Sequence, residues 1–215
     1  MLKPFFLPVC LVAALCLLPA CKIVKTDQAS SDETPAGPEG DETRVSLIVE
    51  DSFASNVIPN IKSTATDIST LQKAVAKGLD AAGDAYGVRP SGAGSSWNFA
   101  VTGKGKIVAH NLTSRAATLD LDTNSDGQGD IILQLGPVVK GSALRDVSPT
   151  YVFTNFRDQI EFAKLGRALN TAALAGITPP AGDPSGKTVT FVGATSLRSA
   201  SDPIRVLPIE LEVAQ

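Results

Sequence analysis

The chain contains 215 residues, of which 43% are hydrophobic and 5% aromatic, and its formal net charge is −3. One of its 19 basic residues, Lys3, lies in an amino-terminal leader, so the remaining chain would carry 18 basic against 22 acidic residues. This mildly acidic balance argues against nucleic acid as a partner. The cysteines are Cys10, Cys16 and Cys21, so a mature chain that begins at Cys21 can form no internal disulfide.

The first twenty residues have the pattern of a secretory signal peptide. Lys3 is followed by the apolar run PFFLPVCLVAALCLLPA and then by Cys21. This run is too short for a good transmembrane helix, which needs about 20 apolar residues. The tetrapeptide Leu18-Pro19-Ala20-Cys21 is similar to the bacterial lipobox, although Pro19 departs from the usual small or β-branched residue. We therefore expect a signal peptide over residues 1–20; an ordinary signal peptide and an uncleaved anchor are the alternatives.

A lipidated Cys21 would hold the mature protein on a bacterial membrane. Several acyl chains on one cysteine bind a membrane firmly, whereas a single chain binds only marginally. Lys22 stands where an aspartate would typically retain a lipoprotein at the inner membrane, so the sequence leaves the outer membrane open as a destination. The expected location is the cell envelope, facing the periplasm or outward.

A polar segment separates this cysteine from the folded part. Residues 26–43 read TDQASSDETPAGPEGDET, a composition that buries too little apolar surface to order itself. We therefore predict a lipidated cysteine and flexible tether over residues 21–43. Residues 44–215 are long enough for a single folded domain with its own core.

Residues 44–90 are predicted to form a helical amino-terminal part. Asp67 is placed to cap a helix, and Pro59 to divide two helices or start a second turn. The expected buried stripe has spacings of three and four residues and comprises Leu71, Val75, Leu79 and Ala82.

Residues 91–215 are predicted to be mainly β. The strand candidates are SWNFAVTGKGKIVAHN, RAATLDLD, DIILQLGPVV, KTVTFVGATSL and IRVLPIELEV. A long helix, FRDQIEFAKLGRALNTAALAG, lies between the third and fourth strands, with Thr154 or Asn155 as its cap and Phe156 and Ile160 on its buried stripe. This is the element order of a five-stranded OB barrel whose helix plugs one end. We predict an α+β, OB-like barrel behind the helical part, and another small α+β sheet is the alternative. Glycines are expected at the bends or bulges of this barrel: Gly103, Gly105, Gly136 and Gly193.

The segment DTNSDGQGD has the spacing of a calcium-binding loop. Its oxygen donors would be the side chains at positions 1, 3, 5 and 9 and the carbonyl at position 7, and glycine occupies position 6. It is not a complete EF-hand, because position 12 is Leu133 rather than glutamate. An Asx-rich hairpin turn explains the same residues. The candidate calcium ligands are Asp122, Asn124, Asp126, Gln128 and Asp130.

No recognisable catalytic group is found in the sequence. His110 is the only histidine and is expected at the surface, and no nucleophile elbow or phosphate-binding loop occurs. The residues that could form a ligand surface are Trp97, Lys140 and Arg145. Core packing is the alternative for Trp97, and an ion pair with Asp146 is the alternative for Arg145.

Several segments together resemble a known bacterial family. They are CKIVKT, SSWNFAVTGKGKIV, LDLDTNSDGQGD, LQLGPVVKGSALRD, NFRDQIEFAKLGRALN and GKTVTFVGA. They resemble the predicted periplasmic lipoprotein family called domain of unknown function 2291, over most of Cys21 to Val213. The family commonly carries a fuller aspartate-glycine version of the loop at 122–130, and its members are often encoded beside ribose-type sugar ABC transporters.

The resemblance implies a non-enzymatic binding or accessory module for sugar uptake. Its partners would be the membrane and a component of a sugar ABC transporter or its solute-binding protein. The alternatives are a structural envelope lipoprotein with a stabilising calcium loop, and a hydrolase that uses the aspartate cluster.

Overall fold

Helices form the first part of the chain and strands form most of the rest. The computed structural model describes residues 34–90 and 95–214. The α-helices in these ranges are α1 (Asp41–Ser52), α2 (Ile58–Thr64), α3 (Ile68–Lys77), α4 (Leu79–Tyr86), α5 (Ala143–Asp146) and α6 (Gln159–Ala175). The strands are β1 (Thr66–Asp67), β2 (Trp97–Asn111), β3 (Thr118–Asp122), β4 (Ile131–Gln134), β5 (Thr188–Leu197) and β6 (Ile204–Val213).

The amino-terminal helices begin where the sequence predicts. The carboxylate of Asp67 accepts hydrogen bonds from the backbone N–H groups of Ser69 at 2.9 Å and Thr70 at 3.2 Å, and so caps α3. Pro59 lies in the first turn of α2, where a missing N–H costs nothing. A π-helical turn, Phe53–Val57, precedes α2. The predicted cap and the predicted role of Pro59 are both confirmed.

One six-stranded sheet contains all the strands of the described residues. β2 pairs antiparallel with β3, β3 with β4, and β5 with β6, whereas β4 and β6 are parallel. β2 also pairs antiparallel with β5, so the five longer strands are paired in a cycle, β2-β3-β4-β6-β5-β2. The prediction of five strands is wrong in count, because β1 adds a two-residue parallel strand to β2. Two residues carry no periodicity, so the sequence gives no sign of this strand.

Two apolar cores lie against opposite sides of β2. Phe99 and Val101 belong to the first core, together with Ile68 and Leu71 of α3. Ala100, which lies between them, belongs to the second core with Leu165 and Leu169 of α6. The expectation that the long helix plugs an end of the sheet is therefore wrong. α3 and α4 contribute side chains to the first core, and α6 packs with α1, α2 and α5 in the second.

The start of α6 differs from the predicted one. Its cap is Asp158, whose Oδ1 accepts from the N–H groups of Ile160 at 2.8 Å and Glu161 at 3.0 Å. Thr154 and Asn155 lie instead in a separate 3-10 turn, Phe153–Asn155. Ile160, expected to be buried, is 59% exposed, whereas Glu161 is 4% exposed. The charged Glu161 takes the buried position because it has an ionic partner, Arg44, on α1.

Helical structure is present before the predicted boundary at Arg44. A 3-10 turn, Pro38–Gly40, leads directly into α1 at Asp41. The Asp41 side chain is fully buried, and its carboxylate pairs with Arg44 at 2.6 Å, Arg157 at 2.9 Å and Lys164 at 3.2 Å. Hydrogen bonds from Arg157 hold the pKa of Asp41 below its ordinary value, although burial of the carboxylate opposes this. Residues 38–43 are thus part of the folded domain rather than of the tether.

Three of the four glycines singled out in the sequence, Gly103, Gly136 and Gly193, leave no room for a Cβ, and a Cβ at Gly105 would make tight contacts of 3.0 Å. A Cβ at Gly193 would overlap the carbonyl oxygen of Leu207 on β6, and one at Gly103 would overlap Ile68 and Phe191. The register of β5 and β6 shifts between Val192 and Gly193, as expected at a bulge.

Replacing Gly193 with alanine should destabilise the fold by about 2 kcal/mol, because the neighbouring strand must move away from the added methyl group. Urea unfolding followed by circular dichroism measures the change. Gly176→Ala is the matched control, since a Cβ there meets only the carbonyl oxygen of Ala173 at 3.6 Å. Equal stability of the two variants would contradict the steric account of Gly193.

Candidate ligand-binding site

The predicted calcium ligands lie in and beside the hairpin between β3 and β4. The carboxylate of Asp122 accepts hydrogen bonds from the N–H groups of Asn124 at 3.1 Å, Ser125 at 2.6 Å and Gly127 at 2.8 Å. Burial acts to raise the pKa of Asp122. The hydrogen bonds from these N–H groups, of which that from Gly127 has the largest effect, hold the pKa below its ordinary value. Gly127 has a φ of 84°, which suits glycine at the sixth loop position.

The remaining loop side chains bond within the loop. Asp126 accepts from the backbone N–H of Gln128 at 2.8 Å, and Asp130 accepts from the hydroxyl of Thr123 at 2.7 Å. Asn124 bridges to Asp126 through its side-chain amide at 3.1 Å. Within residues 34–90 and 95–214, no group of three or more His, Cys, Asp or Glu side chains is arranged to hold a metal ion. The hydrogen bonds are those of an Asx-rich turn, and calcium binding stays a prediction.

Trp97 is a core residue and not part of a ligand surface. Its side chain lies in the first core, and its indole Nε1 donates to Asp80 at 2.9 Å. The guanidinium of Arg89 stacks over the ring at 4.1 Å from its centroid, and a Cβ on Gly83 would overlap the ring atoms Cδ2, Cε2 and Cε3. The ligand-surface assignment of Trp97 is wrong, because α4 and the residues after it cover the ring.

Arg145 forms the predicted ion pair with Asp146. Its Nε donates to Asp146 at 2.7 Å, and its Nη1 donates to the carbonyl of Phe162 at 2.9 Å. Its Nη2 donates to Ser142 at 3.1 Å, and the guanidinium lies 3.8 Å from the centroid of the Phe162 ring. Arg145 therefore joins α5 to α6.

A cavity of about 910 Å³ lies beside this joint. Arg145 and Phe162 form part of its wall, and the polar residues Ser142, Ser148 and Gln159 also line it. Phe153, also in the wall, is 50% exposed and meets the edge of Phe162 with ring centroids 5.5 Å apart. The segment between α5 and α6, which carries Ser148 and Phe153, is held against α1, because the hydroxyls of Tyr151 and Ser52 lie 2.6 Å apart.

A smaller cavity of about 270 Å³ adjoins the first, and the two share Gly141 and Ser196. Lys140 and Arg205 line it, with Asn170 of α6 and Asp202 of the turn between β5 and β6. Gln134 fixes the loop that carries Lys140. Its side-chain amide accepts from the N–H of Lys140 at 2.8 Å and donates to the carbonyl of Lys140 at 3.2 Å.

The structure brings two of the three predicted ligand-surface residues to adjoining cavities and adds others that the sequence did not reveal. Lys140 lines the smaller cavity and Arg145 the larger. Arg205, Asn170 and Phe162 were missed, because their strand and helix positions carry no motif and only the tertiary fold brings them together. Cys21 lies outside the described residues.

His110 is near the end of β2, as expected, with its Nε2 3.1 Å from Asp183. Within the described residues, no helix is long and apolar enough to cross a membrane.

Comparison with a solved structure shows the class of fold. The chain is similar to a crystal structure of an OB-fold protein from Thermotoga maritima, with a TM-score of 0.57 and 16% sequence identity over 80% of this chain and 96% of that one. This likeness identifies an α+β protein with an OB-type arrangement of strands.

The chain belongs to the predicted periplasmic lipoprotein family, domain of unknown function 2291, whose model matches residues 11–212. No curated protein matches the chain. Membership of this family places the protein in the cell envelope with a lipid anchor and agrees with the resemblance noted from the sequence.

Proposed function

We propose that this protein is a non-enzymatic binding module, held by lipid on Cys21, that assists carbohydrate uptake. The observation that carries the proposal is the pair of adjoining cavities between α5, α6 and the sheet. Clefts of about 300–1,000 Å³ with a few polar groups are typical of small-molecule sites, and the larger cavity falls in this range. Position 22 is a lysine rather than the aspartate that typically retains a lipoprotein at the inner membrane. This favours the outer membrane as the destination.

The scaffold in this proposal is an OB-like barrel. The cyclic pairing of β2, β3, β4, β6 and β5 is what a small closed barrel requires, and closure removes exposed strand edges. The turn between β5 and β6 carries Asp202 into the smaller cavity. The connection between the corresponding strands is a frequent ligand-binding element of OB folds.

The larger cavity has the chemistry that a neutral sugar needs. An aromatic ring packs against the apolar face of a sugar, and neighbouring hydroxyl and amide groups bond to its hydroxyls. Phe153 offers the ring, and Ser142, Ser148 and Gln159 offer the polar groups. The natural partner would be a solute-binding protein or permease of a sugar ABC transporter.

Neutral monosaccharides should raise the melting temperature of the lipidated protein in detergent, because a ligand that binds only the folded state stabilises it. Phe153→Ala should weaken the affinity for the best sugar about fivefold, as measured by calorimetry. Ile160→Ala is the matched control, since Ile160 is an exposed apolar residue that lines neither cavity.

The lipidated protein also allows the proposed transporter partner to be tested. Affinity purification from membranes should recover a sugar-binding protein or a permease subunit with the lipoprotein. Recovery of neither, together with no thermal shift for any sugar, would rule out the proposed role in carbohydrate uptake.

A second candidate is a structural envelope lipoprotein whose 122–130 loop binds calcium. The observation that favours it is the loop geometry, in which Asp122 gathers the N–H groups of the turn and Gly127 adopts a positive φ at position 6.

Calcium should then raise the melting temperature, and a chelator should lower it again. Asp126→Asn should abolish the calcium effect, whereas Asp84→Asn, an exposed carboxylate on α4, should retain it. A melting temperature that is the same with calcium and with chelator would show that the turn needs no metal.

A hydrolase using the aspartates has no geometric support in the described residues, since these side chains bond within the loop.

A further inference from the structure

Two cationic residues line the smaller cavity, and neither forms an ion pair within the described residues. Lys140 reaches it from the loop before α5, and Arg205 reaches it from β6. Within the described residues, the side chains of Lys140 and Arg205 have no ion pair or hydrogen bond. Arg44, Arg157 and Lys164 elsewhere in the molecule do have carboxylate partners. A pair of unneutralised cations in one small cavity favours an anionic occupant.

A buried acceptor lies in the same wall. Asn170 is 6% exposed, and its Nδ2 donates to the carbonyl of Gly141 at 3.0 Å. Its Oδ1 has no hydrogen-bond donor among the described residues. An unsatisfied buried acceptor is costly, and a ligand hydroxyl, directly or through one water molecule, would satisfy it.

The charge of the cavity selects among anions. Asp202 also lines it, so the three charged side chains sum to a single positive charge. The backbone N–H groups of Arg198 and Ser199 bond to Asp202 at 2.8 and 2.9 Å and hold the pKa of its carboxyl below its ordinary value. A carboxylate would neutralise this single positive charge, whereas a phosphate dianion would leave the cavity with a net negative charge. A carboxylate therefore matches the charge of the cavity better than a phosphate monoester.

We propose that the smaller cavity binds a small hydroxylated carboxylate of the sugar-acid class. Lys140 and Arg205 bind its carboxylate, while Asn170 and Asp202 accept hydrogen bonds from its hydroxyl groups. A cavity of about 270 Å³ is large enough to hold a ligand of monosaccharide size. The inference deepens the proposed binding function by assigning a ligand class to one part of the site.

Titration calorimetry on the full lipidated protein tests this assignment. The probes are D-gluconate and D-galacturonate, each compared with its neutral counterpart, D-glucose or D-galactose, and glucose 6-phosphate supplies the dianion. The acids should bind at least tenfold more tightly than the neutral sugars and than the phosphate ester, and their affinity should fall as salt is added.

Substitutions locate the binding. Lys140→Gln and Arg205→Gln should each weaken acid binding about tenfold or more, because each removes a charged contact. Lys104→Gln is the matched control, since Lys104 is an exposed residue of β2 that lines neither cavity. Lys140 is itself exposed, so its variant should fold normally even if the variant at the half-buried Arg205 does not.

The outcomes separate this inference from the proposed role in sugar uptake. Acids that bind no more tightly than neutral sugars, or whose binding is unchanged in Lys140→Gln, would overturn the carboxylate site. If neutral sugars and a transporter component still bind in that case, the uptake role stands. Acid binding that depends on Lys140 supports the site, even if no neutral sugar or transporter partner is found.

Discussion

The burial of one carboxylate, that of Asp41, determines how the amino-terminal helices join the rest of the molecule. An ionised carboxylate removed from water must be paired and hydrogen-bonded, or it destabilises the fold. Arg44 supplies one partner from α1 itself, and the others are Arg157, just before α6, and Lys164 in its first half. Arg44 also binds Glu161, another buried acid, at 2.7 Å, and hydrogen-bonds to the carbonyl of Pro35. The cluster therefore fixes α1, together with Pro35, and α6 to each other.

The position of α6 in turn defines both cavities. Phe162 is on the first half of the helix, where it contacts Arg145 and lines the larger cavity. Asn170 is two turns further along, where it bonds to Gly141 and lines the smaller one. Leu165 and Leu169 between them pack in the second core and keep the helix against the sheet. A shift of α6 would change both cavities, so the ionic cluster at its amino end is linked to the proposed binding site through the helix.

Features that depend on neighbouring residues could be predicted from the sequence, and those that depend on distant residues could not. The cap at Asp67 and the Asx turn at Asp122 follow from local hydrogen bonding, and Gly193 marked a bulge. Asp41 lies in a polar stretch whose composition resembles a tether, and Arg157, its partner, is 116 residues away. The same limit applies to Arg205 and Asn170, which reach one cavity only after β6 and α6 have packed. Trp97 was ambiguous in the sequence, because an aromatic residue at a strand start suits a ligand surface as well as a core.

The buried carboxylate of Asp41 holds α6 in place, and hydrogen–deuterium exchange of Asp41→Asn tests this directly. Loss of the charge should lower the melting temperature by about 5–10 °C, since breaking a buried ion pair is strongly destabilising. It should also speed amide exchange along Gln159–Ala175 more than in β5 and β6. Glu39→Gln, at an exposed acid two residues earlier, provides the reference. An Asp41→Asn variant with the melting temperature and α6 exchange of that reference would contradict the central role of the buried carboxylate.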